Sequence, residues 1–227
     1  LGFVVVAVDG RGTPGRSKSF HDASYGHLAD AGCLADHVAA LRQLARTRPW
    51  MDLDRVAAFG HSGGGFATAR AMLDFPEVYK AGVALSGPHD ARYFNLGFVE
   101  TYDGADNPEA WARASNVDLA DRLAGKLLLI HGETDDQVHP DHTLRLADPA
   151  HRRRQGLRPA HRARGRAHLH RLPGLRSQAL LGLLGARADG HAATRLPPRP
   201  HRHRPRVARR AVRLSATPRT RNQGNPI

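Results

Sequence analysis

The sequence predicts an α/β fold built on a partial, doubly wound and mostly parallel sheet, and three observations lead there. Short apolar runs over residues 2–8, 56–59, 81–86 and 126–131 each have the length of a buried strand. Segments with helical spacing or helix-forming composition lie between them. Two of the runs end in polar loops rich in chemistry, around Ser62 and around Asp135. In a sheet with right-handed crossovers the strand C-termini, and the loops that follow them, share one edge.

Taken in order, the chain opens on Leu1 inside the run 2–8, without an initiator methionine or a charged leader. It therefore reads as a fragment that begins within a strand buried on both faces. Asp9-Gly10-Arg11-Gly12-Thr13-Pro14-Gly15 ends that strand with a dense set of turn formers. Residues 28–46 place apolar side chains at 28, 34, 38, 41 and 44, with acids early and arginines late, which predicts one helix suited to its own dipole. Residues 49–54 connect into the run 56–59. A second helix over 66–73 is stopped by Asp74-Phe75-Pro76, and strands at 81–86 and 126–131 follow. No apolar run approaches the roughly 18 residues of a membrane span, so no membrane association is expected. Cys33, the only cysteine, is expected to be a small buried apolar residue.

Gly60-His61-Ser62-Gly63-Gly64 fits G-x-S-x-G between a strand and a helix. That pattern forces the serine onto a strained strand-to-helix turn, with small residues two positions away so that strand and helix can close on it. The turn lifts Oγ out of the sheet and aims the Gly63 amide where an oxyanion would form. The plain alternative is a Gly-rich turn that happens to hold a serine. A nucleophilic serine needs a histidine base oriented by a carboxylate, and in this turn's usual setting the chain order is Ser, acid, His. Asp135 or Asp136, in the loop after the strand 126–131, stands where the acid belongs; two aspartates that merely cap a loop are the alternative.

The formal net charge of +13 sits at one end of the chain. Residues 149–227 hold 20 of the 34 Lys+Arg and one acid, Asp189, whereas residues 1–148 carry a net charge of −6. From 149 onward there is no Phe, Tyr, Trp or Lys, a composition unsuited to finishing a sheet or a core. An Arg-rich arm binds phosphate electrostatically. Without aromatic rings for stacking, and beside an acidic first part, it makes specific nucleic-acid binding a remote alternative.

Four stretches now stand in sequence: Asp9-Gly10-Arg11-Gly12, Gly60-His61-Ser62-Gly63-Gly64-Gly65, residues 89–104 and residues 128–140. Their order and spacing resemble the catalytic domain of the prolyl oligopeptidase family of serine peptidases, most of all its dipeptidyl-peptidase IV branch. The resemblance covers residues 1–148 and implies an α/β-hydrolase fold. It implies Ser62 as nucleophile, Asp135 as triad acid, and Gln137 beside the substrate carbonyl. Phe94 and Phe98 fall where relatives place aromatic rings around the residue preceding the scissile bond, often proline; ordinary core is the alternative for both. The implied partner is a peptide substrate, with no metal and no cofactor. An N-terminal β-propeller is expected in the parent protein, as is an upstream tyrosine that donates to the oxyanion, and a homodimer is left open. An esterase or acylaminoacyl hydrolase on the same fold is the rival activity; hydrolysis of a proline dipeptide anilide against a short acyl ester separates the two.

The resemblance breaks where the base is due. His168 lies at about the right distance beyond Asp135, but residues 148–170 show no apolar strand to hold it. We read the tail 149–227 as an out-of-frame translation that does not fold natively. If each codon's last two bases are joined to the next codon's first, residues 149–171 can be read as RLIAAGKDFDLLIVPGAEHTFIG. That string supplies a helix end, an apolar strand and a histidine in a context resembling the family's triad histidine, encoded across Ala167 and His168. As written, the chain is expected to be inactive or nearly so. Resequencing across codons 148 and 149 is the direct test, and an unbroken frame there rejects the reading.

Overall fold

The computed structural model describes residues 3–152 and 157–163. One parallel sheet runs in chain order through β1 (Val56–His61), β2 (Tyr79–Leu85), β3 (Lys126–Gly132) and β4 (Leu157–Ala163). The helices are α1 (Lys18–Asp22), α2 (Leu34–Arg46), α3 (Gly63–Asp74), α4 (Leu96–Asp103), α5 (Pro108–Arg113) and α6 (Asp141–Arg152). Because β1, β2 and β3 are parallel and in register, His61, Leu85 and Ile130 sit at neighbouring positions, and all three strands end on one rim.

Two-residue periodicity divides the inner strands between faces. Ala84, Leu127 and Leu129 belong to the main core with Ala69, Met72 and Leu73 of α3, Leu34 and Val38 of α2, and Leu146 of α6. Val83, Leu85, Leu128 and Ile130 form a second cluster on the opposite face. Near-continuous burial of β2 and β3 matches the apolar runs that predicted them. β1 alternates between half-buried and exposed, as an edge strand does, and leaves Phe59 48% exposed.

Four sequence expectations are corrected. Residues 3–8 take no regular secondary structure and pair with no described strand, and Val5 is 88% exposed. A strand needs a neighbour's backbone, and β1 offers it none; the following turn is held instead by Arg11, whose amide and guanidinium both donate to Asp36 (3.0 Å). The predicted helix 28–46 is two pieces: a single 3-10 turn at Leu28–Asp30, then α2. Ala31, Gly32 and Cys33 between them all have left-handed backbones, at φ 49°, 76° and 59°. Cys33 is half-buried rather than buried, and its Sγ accepts from Arg11 Nη2 at 3.3 Å.

The fourth correction concerns the segment read as strandless. Residues 157–163 form β4, parallel to β3, and α6 continues through Pro149. The register between β3 and β4 is irregular between Leu128 and Ile130, opposite Pro159 and Ala160. A proline has no N–H to give the ladder, so the pairing slips there.

Candidate active site

Ser62 joins β1 to α3 with φ 56° and ψ −121°, a backbone that non-glycine residues rarely adopt. It is locked from both sides, because its N–H donates to Leu85 O (2.9 Å) and its carbonyl accepts from Phe66 N (3.0 Å). The side chain is half-exposed, so strain at the turn coincides with access at the rim. Gly63 and Gly64 are exposed beside it and begin α3, whose free amides gather partial positive charge.

The acid loop begins where β3 ends. Asp135 Oδ1 accepts from the amides of Gln137 and Val138, both at 3.1 Å, which fixes the carboxylate with Oδ2 uncommitted to either. Oδ2 lies 3.6 Å from Nε2 of His131. That imidazole is not available as a base, because it is buried and both ring nitrogens are engaged. Val138 offers only a carbonyl, so Nε2 donates to it (2.7 Å), and Nδ1 accepts from Thr143 Oγ1 (2.7 Å). Gln137 is exposed and contributes its amide to the loop. Asp136 is also exposed. Ser62 and Asp135 thus share one rim, following β1 and β3, while His168 lies outside the described residues.

Beside the serine turn is a cavity of about 320 Å³ lined by Gly63, Gly64, Phe66, Ala67, Phe94 and Phe98, among others. Phe94 and Phe98 meet edge to face at 5.2 Å, and Phe98 leans on Tyr102 at 4.7 Å. Phe98 and Tyr102, four apart, share one face of α4, and Phe94 precedes the helix with an extended backbone. Tyr102 was absent from the sequence expectations, although the same spacing from Phe94 and Phe98 points to it. Leu28, Ala31 and Gly32 form another wall. They are pinned to α4, since Gly26 N donates to Tyr102 O (2.6 Å) and Leu28 N to the buried Asp103 Oδ1 (2.9 Å).

A fully buried Asn116 ties the loop after β2 to the serine helix. Its Oδ1 accepts from Arg70 Nε (2.8 Å), its Nδ2 donates to Phe66 O (3.0 Å) and to His89 Nδ1 (3.2 Å), and its amide donates to His89 O (2.8 Å). No sequence pattern distinguishes this asparagine from a loop residue.

Burial pushes His89 down to about 3 and moves His131 and His142 below the ordinary imidazole value. The consequence has a definite sign. Near neutrality both folded and unfolded chains leave these rings uncharged. Below about pH 6.5 the unfolded chain binds protons that the folded one refuses, so stability falls as pH drops, in the case of His89 by about 1.4 kcal/mol per pH unit. For His89 the loss continues to about pH 3. Urea unfolding between pH 6.5 and 4 should show this slope, and His89→Gln should reduce it by about one proton; an unchanged slope would exclude His89 as a contributor.

Comparisons with known proteins give the family and the fold. Residues 1–174 match the model of the prolyl oligopeptidase family. The chain is 32% identical over 145 residues to dipeptidyl peptidase family member 2 of Caenorhabditis elegans, covering 62% of this chain and 17% of that protein. It is 32% identical over 146 residues to venom dipeptidyl peptidase 4 of Vespula vulgaris, covering 62% and 19%. The crystal structure of Porphyromonas gingivalis dipeptidyl peptidase 4 superposes with a TM-score of 0.65 at 24% identity, over 78% of this chain and 25% of that one, which shows the shared fold. The chain spans less than a fifth of the length of these curated relatives. With a family match across most of its length and the α/β-hydrolase sheet that carries Ser62 on its rim, the chain belongs to the prolyl oligopeptidase family of serine peptidases.

Proposed function

We propose that the parent protein cleaves peptides by acyl transfer, as a dipeptidyl peptidase or oligopeptidase that accepts proline or a small residue before the scissile bond. Ser62 Oγ attacks the peptide carbonyl carbon while a histidine takes its proton, and the Gly63 amide donates to the oxyanion. The histidine then protonates the leaving nitrogen as the C–N bond breaks, leaving an ester on Ser62. Water, deprotonated by the same histidine, hydrolyses that ester and restores the serine. Asp135 orients the histidine through Oδ2. The base falls at His168 as the chain is written and, in the shifted frame, at the histidine encoded across Ala167 and His168. Gln137 flanks the substrate carbonyl, and Phe94 and Phe98 take the side chain before the scissile bond.

The observation that carries this reading is the strained, half-exposed Ser62 turn, on the rim that also bears Asp135 and beside the apolar cavity. A fluorophosphonate probe is expected to label Ser62 in the full-length, frame-restored protein. Labelling should vanish in Ser62→Ala, and Asp135→Asn should lower kcat by about 10⁴ through the wrong histidine tautomer. A protein that stays unlabelled, or whose labelling survives Ser62→Ala, would overturn the assignment.

A further inference from the structure

The carboxylate of Asp135 is held by a loop, and the loop needs a tie to the scaffold. Oδ1 accepts from the amides of Gln137 and Val138, which belong to that same loop and travel with it. A tie runs through His131, near the end of β3, whose backbone pairs in the sheet with Arg162 of β4. Its Nε2 donates to Val138 O and its Nδ1 accepts from Thr143 Oγ1 of α6, both at 2.7 Å. His131, Val138 and Thr143 are all buried. Val138 thus holds Asp135 with its N–H and the ring with its carbonyl, and Oδ2 lies 3.6 Å from Nε2. The titratable groups that act on the ring are His61 at the end of β1, His89 after β2, His139 in the loop and His142 of α6, which repel a second proton, and Asp135, which attracts one. Burial decides for the neutral form. A neutral ring braces the loop without supplying a counter-charge, so the negative charge of Asp135 stays available to the catalytic base.

On the reading of Asp135 as triad acid, we infer that His131 is a positioning residue, a buried imidazole that fixes the acid loop between β3 and α6 by donating to Val138 O and accepting from Thr143 Oγ1. It works through Asp135 rather than on the substrate. Removing the ring leaves the Val138 carbonyl buried without its donor and frees the loop to tilt. A misplacement of about 1 Å in a catalytic site costs about 10² in rate. Tilt also weakens the attraction between Oδ2 and a protonated base. The base then holds its proton less tightly, and the pH below which activity is lost moves down.

Two measurements test this role. In the chain as written, long-range proton–nitrogen NMR of the imidazoles at pH 7, with His131 assigned by its loss in His131→Gln, should show a neutral ring protonated on Nε2. A charged ring, or one protonated on Nδ1 alone, overturns the brace. In the full-length, frame-restored protein, His131→Leu should lower kcat about 10²-fold and leave KM within about twofold. It should also move the acidic limb of kcat/KM down by about one pH unit. His131→Gln, whose side-chain amide can donate to Val138 O, should restore kcat to within about tenfold of the original. Thr143→Val keeps the donor to Val138 and the shape of α6, and should lower kcat severalfold with the limb shifted the same way; it decides the matter if His131→Leu does not fold. Rates are expressed per serine titrated with fluorophosphonate. A purely structural role lowers only the folded fraction, so an unchanged kcat per labelled serine, or an unmoved limb, overturns the proposal. A protein with native His131 that stays unlabelled rejects instead the peptidase reading on which the role rests, and the NMR still reports whether the ring is held as described.

Discussion

Replacing residues 149–171 by their shifted-frame reading is expected to raise hydrolysis of a dipeptide anilide by about 10⁴–10⁶ over the chain as written, the range that loss of a serine enzyme's base spans. Two separate lines meet at the same codons. The first is chemical: Asp135 holds one carboxylate oxygen on loop amides and presents the other, but His131, which it faces at 3.6 Å, is engaged by Val138 and Thr143. The second is structural. β4 runs over Leu157–Ala163 with its register to β3 disturbed opposite Pro159, and the shifted frame reads those seven codons as FDLLIVP. That string moves the proline to the strand's last position and puts apolar and β-branched residues along a parallel ladder. A histidine four residues beyond the strand would then follow β4 onto the rim where β1 and β3 deliver Ser62 and Asp135. Activity within about tenfold of the original chain would show that the segment as written already serves, and would remove the case for a frame error.

The sequence made the inner strands and both loops legible because their signals are local. Strands β2 and β3 are apolar runs of strand length, and Ser62 lies in a motif whose spacing encodes its own backbone geometry. The run 2–8 carries an equally strong apolar signal, yet residues 3–8 pair with nothing described, because a strand is completed by a neighbour that its own residues do not specify. The break at 31–33 was hidden for a different reason. Gly32 advertises a left-handed backbone, but Ala31 and Cys33 adopt one too, held by contacts distant in sequence such as Arg11 with Cys33 and Asp36. Asn116 is the extreme case: its importance lies wholly in four tertiary hydrogen bonds, to Arg70, Phe66 and twice to His89.

The two glycines of G-x-S-x-G carry opposite predictions, although the motif treats them alike. A Cβ at Gly60 would lie 2.8 Å from Gly64 Cα and closer still to its carbonyl carbon and oxygen. All of those atoms are backbone of the first turn of α3, which is fixed by Phe66 N on Ser62 O and cannot move without unmaking the Ser62 conformation. Gly60→Ala is therefore expected to cost about 3 kcal/mol or more, beyond ordinary overpacking because no side chain can swing aside. At Gly64 a Cβ meets nothing within 4 Å, and the backbone is helical with an ordinary φ. Gly64→Ala should leave stability unchanged or raise it by up to about 1 kcal/mol, through helix propensity and a less flexible unfolded chain. The second position that must be bare is Gly65, whose Cβ would come within 3.1 Å of Gly87 N and nearer to Leu85 O, where α3 crosses the end of β2. Urea denaturation of the three alanine variants should rank them Gly64 well above Gly65 and Gly60; a Gly64→Ala variant as unstable as Gly60→Ala would mean that the serine turn is not closed by the contacts described.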